Sequence, residues 1–325
     1  MEKVTKIRWV VAHDPLYLFL RAAEDFQAEV NARSKDHKIE VEIMTPTQYA
    51  ERYGWPEAEQ ANNDEFRFNQ LYTLMQEGKI EMSQLVTTNL AAKFNKNMQV
   101  LDLPFLFKDH DHATRALEGE PGQKILNSFD PESKIRGLAF TYSGGFRCLP
   151  VNAKIKSLAD LAGQPIRSGM NPVARDTFAA IGAEPKSMEL GAINQAVAQG
   201  EVIGGESAFP RIYPCEHNTF SKTVLDTGHS LFLTSIIVSE GFWNSLSPEL
   251  QQIISDAAIA AGRTERLRSI QDGEDTKAKL AAEGIDVIKL SDEDQQEFQS
   301  RTAHLYEKYS DQFTPGLVDS IKYMH

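Results

Sequence analysis

The stretch SLADLAGQPIRSGMNPVARDTFAAIGAEP, residues 157–185, decides the fold class of this chain. It predicts a short helical turn at Ser157–Ala162, a short strand at Gln164–Ser168 and a helix at Pro172–Ile181 that Gly182 ends. Strands that alternate with helices over so few residues indicate an α/β protein with parallel or mixed sheets.

The same alternation extends to both ends of the chain. Asp14-Pro15 is a strong helix start, because aspartate caps a helix and proline fits its first turn. Apolar residues at helical spacing predict a long helix from Leu250 toward Leu280. Further strands are predicted at Lys6–Ala12, Ile39–Ile43, Ile80–Thr87, Arg136–Tyr142, Phe146–Asn152 and Val202–Ser207. Further helices are predicted at Glu65–Gln76, Asp111–Leu117 and Ala192–Gln199, and Leu101–Phe107 is either a strand or a turn.

Length and charge narrow the possible functions. At 325 residues the chain exceeds the usual size of one domain, so two domains are expected. The net charge is −12 and no basic cluster with interleaved aromatic residues is present, which argues against binding to nucleic acid or to an anionic membrane surface. No stretch approaches the ~18–20 apolar residues of a membrane span, so direct membrane insertion is not expected. An anionic ligand would need a local concentration of arginine.

Few residues suggest redox, metal or enzymatic chemistry. Cys148 and Cys215 neither define a disulfide scaffold nor complete a metal site, and whether they form a bridge stays open. The run Asp109-His-Asp-His112 could bind a metal, but it also suits a polar turn before a helix with Asp111 as N-cap. We expect no metal and no cofactor. The common hydrolase, metalloprotease, phosphate-loop and dinucleotide motifs are missing, which disfavours an enzyme.

A set of motifs, in this order and spacing, resembles the substrate-binding proteins of tripartite ATP-independent periplasmic (TRAP) transporters over nearly the whole chain. The motifs are Leu103–Phe107 (LPFLF), Gly144–Arg147 (GGFR), Leu158–Arg167 (LADLAGQPIR), Ile181–Pro185 (IGAEP), Ala196–Glu206 (AVAQGEVIGGE) and Phe242–Pro248 (FWNSLSP). The resemblance implies a two-lobe, type II-like periplasmic-binding-protein fold, in which the long helix runs across both lobes and ligand closes the cleft between them. Lobe I is expected at residues 1–144 plus about 233–272, and lobe II at 145–232 plus about 273–325.

The resemblance also implies a function. It predicts a monomeric receptor, not an enzyme, that captures a small carboxylate in the periplasm and delivers it to the membrane permease subunits of a TRAP transporter. The opening residues carry no apolar signal core. We interpret them as the start of a mature domain whose export signal was replaced by a start methionine.

By position, Arg167 corresponds to the family's carboxylate-pairing arginine and Arg147 to its common partner. A guanidinium presents parallel N–H donors that match the two oxygens of a carboxylate, and it stays charged at any relevant pH. Ser207 stands at the position of an amide or acidic side chain that often contacts ligand. Glu206 either contacts ligand or holds the end of its strand, and both interpretations stay open.

Ligand contacts from the first lobe are expected at His13, Thr87 and Thr88, by position alone. The segment Thr45–Asn63 replaces a shorter turn of the family, and it is either a surface excursion or a lip over the binding cleft. Two other functions stay open: a sensor domain for an organic acid, and a carboxylate isomerase or lyase with Glu206 and His13 as acid and base. The sequence does not identify the acid.

Overall fold

The computed structural model describes residues 4–11, 16–34, 37–54 and 64–324, and the chain divides into two compact units. Unit 1 consists of Met1–Asn95, Leu117–Tyr142 and Leu233–Leu267. Unit 2 consists of Lys96–Ala116, Ser143–Phe232 and Arg268–His325.

Ten strands and thirteen α-helices form within the described residues. The strands are β1 (Thr5–Val11), β2 (Ile39–Met44), β3 (Met82–Val86), β4 (Ile135–Val151), β5 (Pro165–Ser168), β6 (Glu184–Ser187), β7 (Ser207–Ala208), β8 (Thr223–Asp226), β9 (Leu231–Ser239) and β10 (Asp286–Lys289). The helices are α1 (Leu16–Arg33), α2 (Pro46–Tyr53), α3 (Asp64–Gln76), α4 (Thr87–Phe94), α5 (His110–Glu118), α6 (Glu120–Leu126), α7 (Pro172–Ala180), α8 (Ile193–Ala198), α9 (Glu240–Ser245), α10 (Pro248–Ala282), α11 (Asp292–Thr302), α12 (His304–Tyr309) and α13 (Leu317–Lys322).

Unit 1 contains a mixed sheet in the strand order β2-β1-β3-β9. Strand β1 is parallel to β2 and to β3, whereas β9 is antiparallel to β3. Trp9 of β1 and Phe26 of α1 are fully buried, with ring centroids 5.2 Å apart. Burial of one large apolar side chain contributes about 1.5–3 kcal/mol, so this pair attaches α1 firmly to the sheet.

Unit 2 also contains a mixed sheet, in the order β10-β8-β4, with β8 parallel to β10 and antiparallel to β4. Strand β7 is antiparallel to β4, and β5 forms a separate parallel pair with β6. The core contains Ile166 of β5, Phe178 of α7 and Phe298 of α11, all fully buried. These contacts fix β5 within the unit, and β5 carries one of the candidate site residues.

The segment 96–116 belongs to unit 2, whereas the resemblance places it in the first lobe. The Tyr306 hydroxyl donates to the carbonyl of Pro104 at 2.8 Å. Nε2 of His112 lies 2.8 Å from the carbonyl oxygen of Ile321. These contacts attach the segment to the C-terminal helices of unit 2.

Residues 135–151 form one continuous strand, and the prediction of two strands on either side of Gly144-Gly145 is wrong. Gly144 and Gly145 have φ angles of 117° and 81°, which other residues rarely adopt. Glycine accepts this conformation at little cost, so the two residues distort the strand locally without ending it.

Two other predicted details are also wrong. Asp109, not Asp111, caps α5, because its Oδ1 accepts a hydrogen bond from the His112 N–H at 2.7 Å. That hydrogen bond lowers the pKa of Asp109. The strand predicted at Val202–Ser207 is confined to Ser207–Ala208, and the residues before it pair with their neighbours only through isolated bridges.

The long helix predicted after residue 248 is confirmed as α10, which contains 35 residues and is about 52 Å long. The unit boundary after Leu267 falls inside this helix, so residues of α10 belong to both units. Within the described ranges, no helix combines the length and apolarity needed to cross a membrane, α10 included.

Two questions that the sequence leaves open have structural answers, and the role of the segment after Thr45 stays open. Leu101–Phe107 contains a helical turn and an irregular turn but no strand. Both Cys148 and Cys215 are free thiols. The polar segment after Thr45 forms α2, capped by reciprocal hydrogen bonds between Thr45 and Gln48, and residues 55–63 lie outside the described part of the chain.

Candidate ligand-binding site

Unit 2 brings together Arg147 from β4, Arg167 from β5 and Glu206, which immediately precedes β7. All three charged residues are buried, with 7%, 5% and 1% of their surface exposed, respectively. Buried charges are expensive unless they are paired, so this cluster either stabilises itself or is completed by a ligand.

The segment 203–206 holds the cluster together by packing closely against β4 and β5. The Arg167 N–H donates to the Gly204 carbonyl at 2.8 Å, and the Gly205 N–H donates to the Pro150 carbonyl at 3.2 Å. A Cβ atom on Gly204 would lie 2.0 Å from the oxygen of Pro150, and one on Gly205 would lie 2.5 Å from Cβ of Arg167. Only glycine permits this approach, which explains the Gly-Gly pair before Glu206.

The carboxylate of Glu206 is surrounded by donors. Its Oε2 lies 3.7 Å from Nε of Arg147 and 3.5 Å from Nε2 of His229. Its Oε1 lies 3.9 Å from Nη1 of Arg167 and accepts a hydrogen bond from the Gly169 N–H. Burial opposes the charged form, but Arg147, His229 and Arg167 together outweigh it and hold the pKa of Glu206 well below its usual range.

Arg167 uses part of its guanidinium within the protein. Its Nε donates to the carbonyl of Met188 at 2.8 Å, and its Nη1 donates to the main-chain carbonyl of Glu206 at 3.1 Å. Its Nη2 makes no hydrogen bond within the described residues. Burial lowers the pKa of Arg167 to about 10, against the attraction of Glu206 and with the repulsion of Arg147 and Arg211.

Arg147 is held mainly by an aromatic ring. Its guanidinium carbon lies 4.1 Å from the ring centroid of Phe232, and that of Arg211 lies 4.9 Å from the same centroid. Arg211 also donates to the Ser143 hydroxyl at 2.6 Å. In the described part of the chain, the Arg147 guanidinium makes no hydrogen bond, and its one ionic contact is Glu206. Most of its N–H donors therefore remain available.

Ser207 adds a buried hydroxyl next to the charged cluster. It is opposite Cys148 in the β4–β7 pairing, one residue from the Arg147–Ala208 pair. Its Oγ is buried and has no hydrogen-bond partner among the described residues. An unsatisfied buried hydroxyl costs stability, so a polar ligand atom would find a ready partner here.

Sequence reasoning missed Arg211, His229 and Phe232. A signal existed for Arg211, because it is the single charge in the apolar run Ala208–Pro214, where a charge indicates burial. No such signal existed for His229, which lies just before β9, or for Phe232, which lies at the start of β9. Neither residue belongs to a motif.

The predicted residues of the first lobe are not part of this cluster as described. Thr87 and Thr88 begin α4 in unit 1, where the Thr87 hydroxyl lies 2.8 Å from the Ser235 hydroxyl. His13 lies outside the described residues. These three residues therefore stay predictions.

The run Asp109–His112 serves the fold. Asp109 caps α5, and His112 contacts the Lys108 N–H through Nδ1 and the Ile321 carbonyl through Nε2. Among the residues that the structure describes, no group of three or more His, Cys, Asp or Glu side chains could hold a metal ion.

Comparison with known proteins assigns the family. The family model described as "Bacterial extracellular solute-binding protein, family 7" (DctP) matches residues 15–312. The chain belongs to this family. Because DctP proteins are binding proteins, the prediction that the chain is not an enzyme is confirmed.

Relatives and solved structures agree with this assignment. The C4-dicarboxylate-binding protein DctB of Bacillus subtilis is 24% identical over 75% of this chain and 69% of its own length. The 2,3-diketo-L-gulonate-binding periplasmic protein YiaO of Escherichia coli is 26% identical over 65% and 64%. An uncharacterized protein of Haemophilus influenzae is 28% identical over 62% of this chain and 60% of its own length.

A TRAP periplasmic solute-binding protein of Pseudomonas putida F1, solved with bound D-glucuronate, superposes with a TM-score of 0.79. It is 25% identical, and the match covers 98% of this chain and 97% of that protein. The predicted fold class, α/β of the periplasmic-binding-protein type, is confirmed by this likeness.

Proposed function

We propose that this chain is an extracytoplasmic receptor that binds a small organic acid through Arg167 and Arg147 and delivers it to the permease of a TRAP transporter. The observation that carries the proposal is the pair of buried guanidiniums, which share one carboxylate and keep N–H donors available. Arg147 and Arg167 contribute two positive charges against the single negative charge of Glu206. A ligand carboxylate would balance the surplus.

The positive charge of the two arginines can attract an anion locally, although the net charge of the whole chain is negative. A net charge of −12 repels anions at long range, so affinity has to come from directed contacts in the site. The hydration that a carboxylate loses on burial is replaced by charged donors, and guanidinium supplies them in matching geometry.

Different roles follow for Ser207 and Glu206. The Ser207 hydroxyl is placed to hydrogen-bond a second polar group of the ligand, since it lacks a partner among the described residues. Glu206 is acceptor-only and faces two arginines, so its role is to hold the guanidiniums. His13, Thr87 and Thr88 complete the proposal as contacts from the first lobe, on the family resemblance alone.

The relatives narrow the ligand class. DctB is named for C4-dicarboxylates, YiaO for 2,3-diketo-L-gulonate, and the P. putida protein was solved with D-glucuronate. All three names describe small hydroxylated or dicarboxylic acids. We therefore propose a ligand of this class, a periplasmic location and a monomeric receptor.

A thermal-shift experiment tests the proposal. Succinate, D-glucuronate and 2,3-diketo-L-gulonate are each added, and succinamide and D-glucuronamide serve as uncharged controls. A ligand that binds the native state raises Tm. At a ligand concentration of a hundred times Kd, the free energy of unfolding rises by about 2.7 kcal/mol. An acid should raise Tm while its amide should not. Equal shifts for an acid and its amide would contradict the role of the arginines.

A further inference from the structure

A buried histidine, His229, contacts Oε2 of the Glu206 carboxylate, the oxygen that also faces Arg147. Only 2% of its surface is exposed. Its ring stands edge-on to Phe178, with centroids 5.3 Å apart, and is stacked near Phe298 at 5.8 Å. Both neighbours are uncharged, so the polar environment of the imidazole is set by Thr227, Glu206 and the more distant charge of Arg147.

The contacts of its two ring nitrogens identify the neutral tautomer. Nδ1 lies 2.8 Å from the Thr227 hydroxyl, and Nε2 lies 3.5 Å from Oε2 of Glu206. A lone pair on Nε2 would repel the carboxylate, so the proton of the neutral ring resides on Nε2. Nδ1 then accepts from the Thr227 hydroxyl, which also lies 3.2 Å from the main-chain carbonyl of Arg147. Burial lowers the pKa of His229, in agreement with a neutral ring.

We propose that His229 is a positioning residue of the site: through Glu206 it sets the orientation of the Arg147 guanidinium that meets the ligand. The inference rests on the proposed function and deepens it, because it names a residue that governs affinity without contact to the ligand.

The mechanism is a competition for one oxygen. Oε2 of Glu206 is shared between His229 and Arg147, at 3.5 and 3.7 Å. Without the imidazole donor, the oxygen would be satisfied by Arg147 alone, and the guanidinium would be drawn away from the ring of Phe232. A ligand carboxylate would then have to break a stronger internal ion pair. Residues in one hydrogen-bond network couple by about 0.5–3 kcal/mol, so we expect affinity to fall about tenfold.

Two substitutions separate positioning from packing. His229→Phe fills the aromatic slot between Phe178 and Phe298 but removes the donor, so Tm of the ligand-free protein should hold while affinity falls about tenfold. His229→Gln keeps an N–H donor and should restore most of the affinity. His112→Gln is the matched control, since His112 is equally buried in the same unit but contacts the Lys108 N–H and the Ile321 carbonyl.

Affinity is measured by titration calorimetry with the acid that gives the largest thermal shift among succinate, D-glucuronate and 2,3-diketo-L-gulonate. His229→Phe is also combined with Arg147→Ala, where it should cost nothing further, because its effect passes through Arg147. If His229→Phe fails to fold, His229→Met takes its place.

Several outcomes would overturn the inference. The inference fails if His229→Phe binds the acid with wild-type affinity, or if His229→Gln binds it as weakly as His229→Phe. It also fails if His229→Phe weakens binding as much in the Arg147→Ala protein as in the wild type. Each of these results would leave the proposed function intact. A wild-type protein that none of the three acids stabilises contradicts the proposed function itself, and this inference with it.

Discussion

Replacement of Arg167 by alanine should weaken ligand binding strongly while changing the stability of the ligand-free protein little. Burial lowers the pKa of Arg167 from 12.5 to about 10. Each pKa unit corresponds to about 1.4 kcal/mol, so the cation is disfavoured by roughly 3 kcal/mol in the ligand-free state. A ligand carboxylate returns a free energy of this order when it pairs with the guanidinium, and loss of that pairing corresponds to about a hundredfold in Kd.

The small effect on ligand-free stability follows from two opposing contributions. The substitution removes hydrogen bonds to the carbonyls of Met188 and Glu206, each of which contributes about 1 kcal/mol. It also removes the unfavourable burial of a cation, which lowers the pKa of Arg167. Because the two contributions oppose each other, Tm of ligand-free Arg167→Ala should stay within a few degrees of wild type.

Titration calorimetry and thermal melts of Arg167→Ala and Arg167→Lys check this reasoning. Lysine keeps the charge but cannot form the fork, so Arg167→Lys should recover only part of the affinity. The control is Arg175→Ala, because Arg175 belongs to the same unit but has an exposed side chain. If Arg167→Lys binds like wild type, fork geometry is irrelevant. If Arg167→Ala keeps its affinity, this arginine is not the anchor.

Three further predictions concern other parts of unit 2. Arg147→Ala should weaken binding less than Arg167→Ala by calorimetry, and the reverse order would exchange the two roles. Gly205→Ala should lower the free energy of unfolding by about 1–3 kcal/mol and weaken binding, because the new Cβ would lie 2.5 Å from Cβ of Arg167. The control is Gly191→Ala, which should do neither, because open space surrounds Gly191. His217 is buried with its pKa lowered from 6.5 to about 3, so the unfolded chain binds a proton that the native state does not, and stability falls as pH falls below 6.5. His217→Phe should remove about 2 kcal/mol of the loss between pH 7 and pH 5 in urea unfolding, and identical slopes would refute the assignment.

The fold was more predictable from the sequence than the site. Periodicity identified α10, and motif order identified the family, because both depend on residues close together in the chain. Gly144 and Gly145 led to the wrong prediction that the strand is interrupted. A strand can continue through a local distortion at glycine when the neighbouring strands pair with it. Sequence distance also concealed the contact of His229 with Glu206, which depends on how β4, β7 and β9 are arranged.

Arg167 and Arg147 could be named as candidates because both belong to motifs of the sequence, but their environment could not be predicted. The sequence left Glu206 open between ligand contact and structural support. Its four donors come from segments up to 82 residues apart, Arg147 to His229, and a linear pattern does not show that they meet.

The low pKa of Glu206 has a consequence for how cargo leaves the receptor. This carboxylate stays ionised far below neutrality, and guanidiniums do not lose their protons in water. A fall of one or two pH units below neutrality therefore leaves the charges of Glu206 and of the two arginines unchanged. Under the proposed function, titration of these three groups therefore does not release the ligand over this pH range.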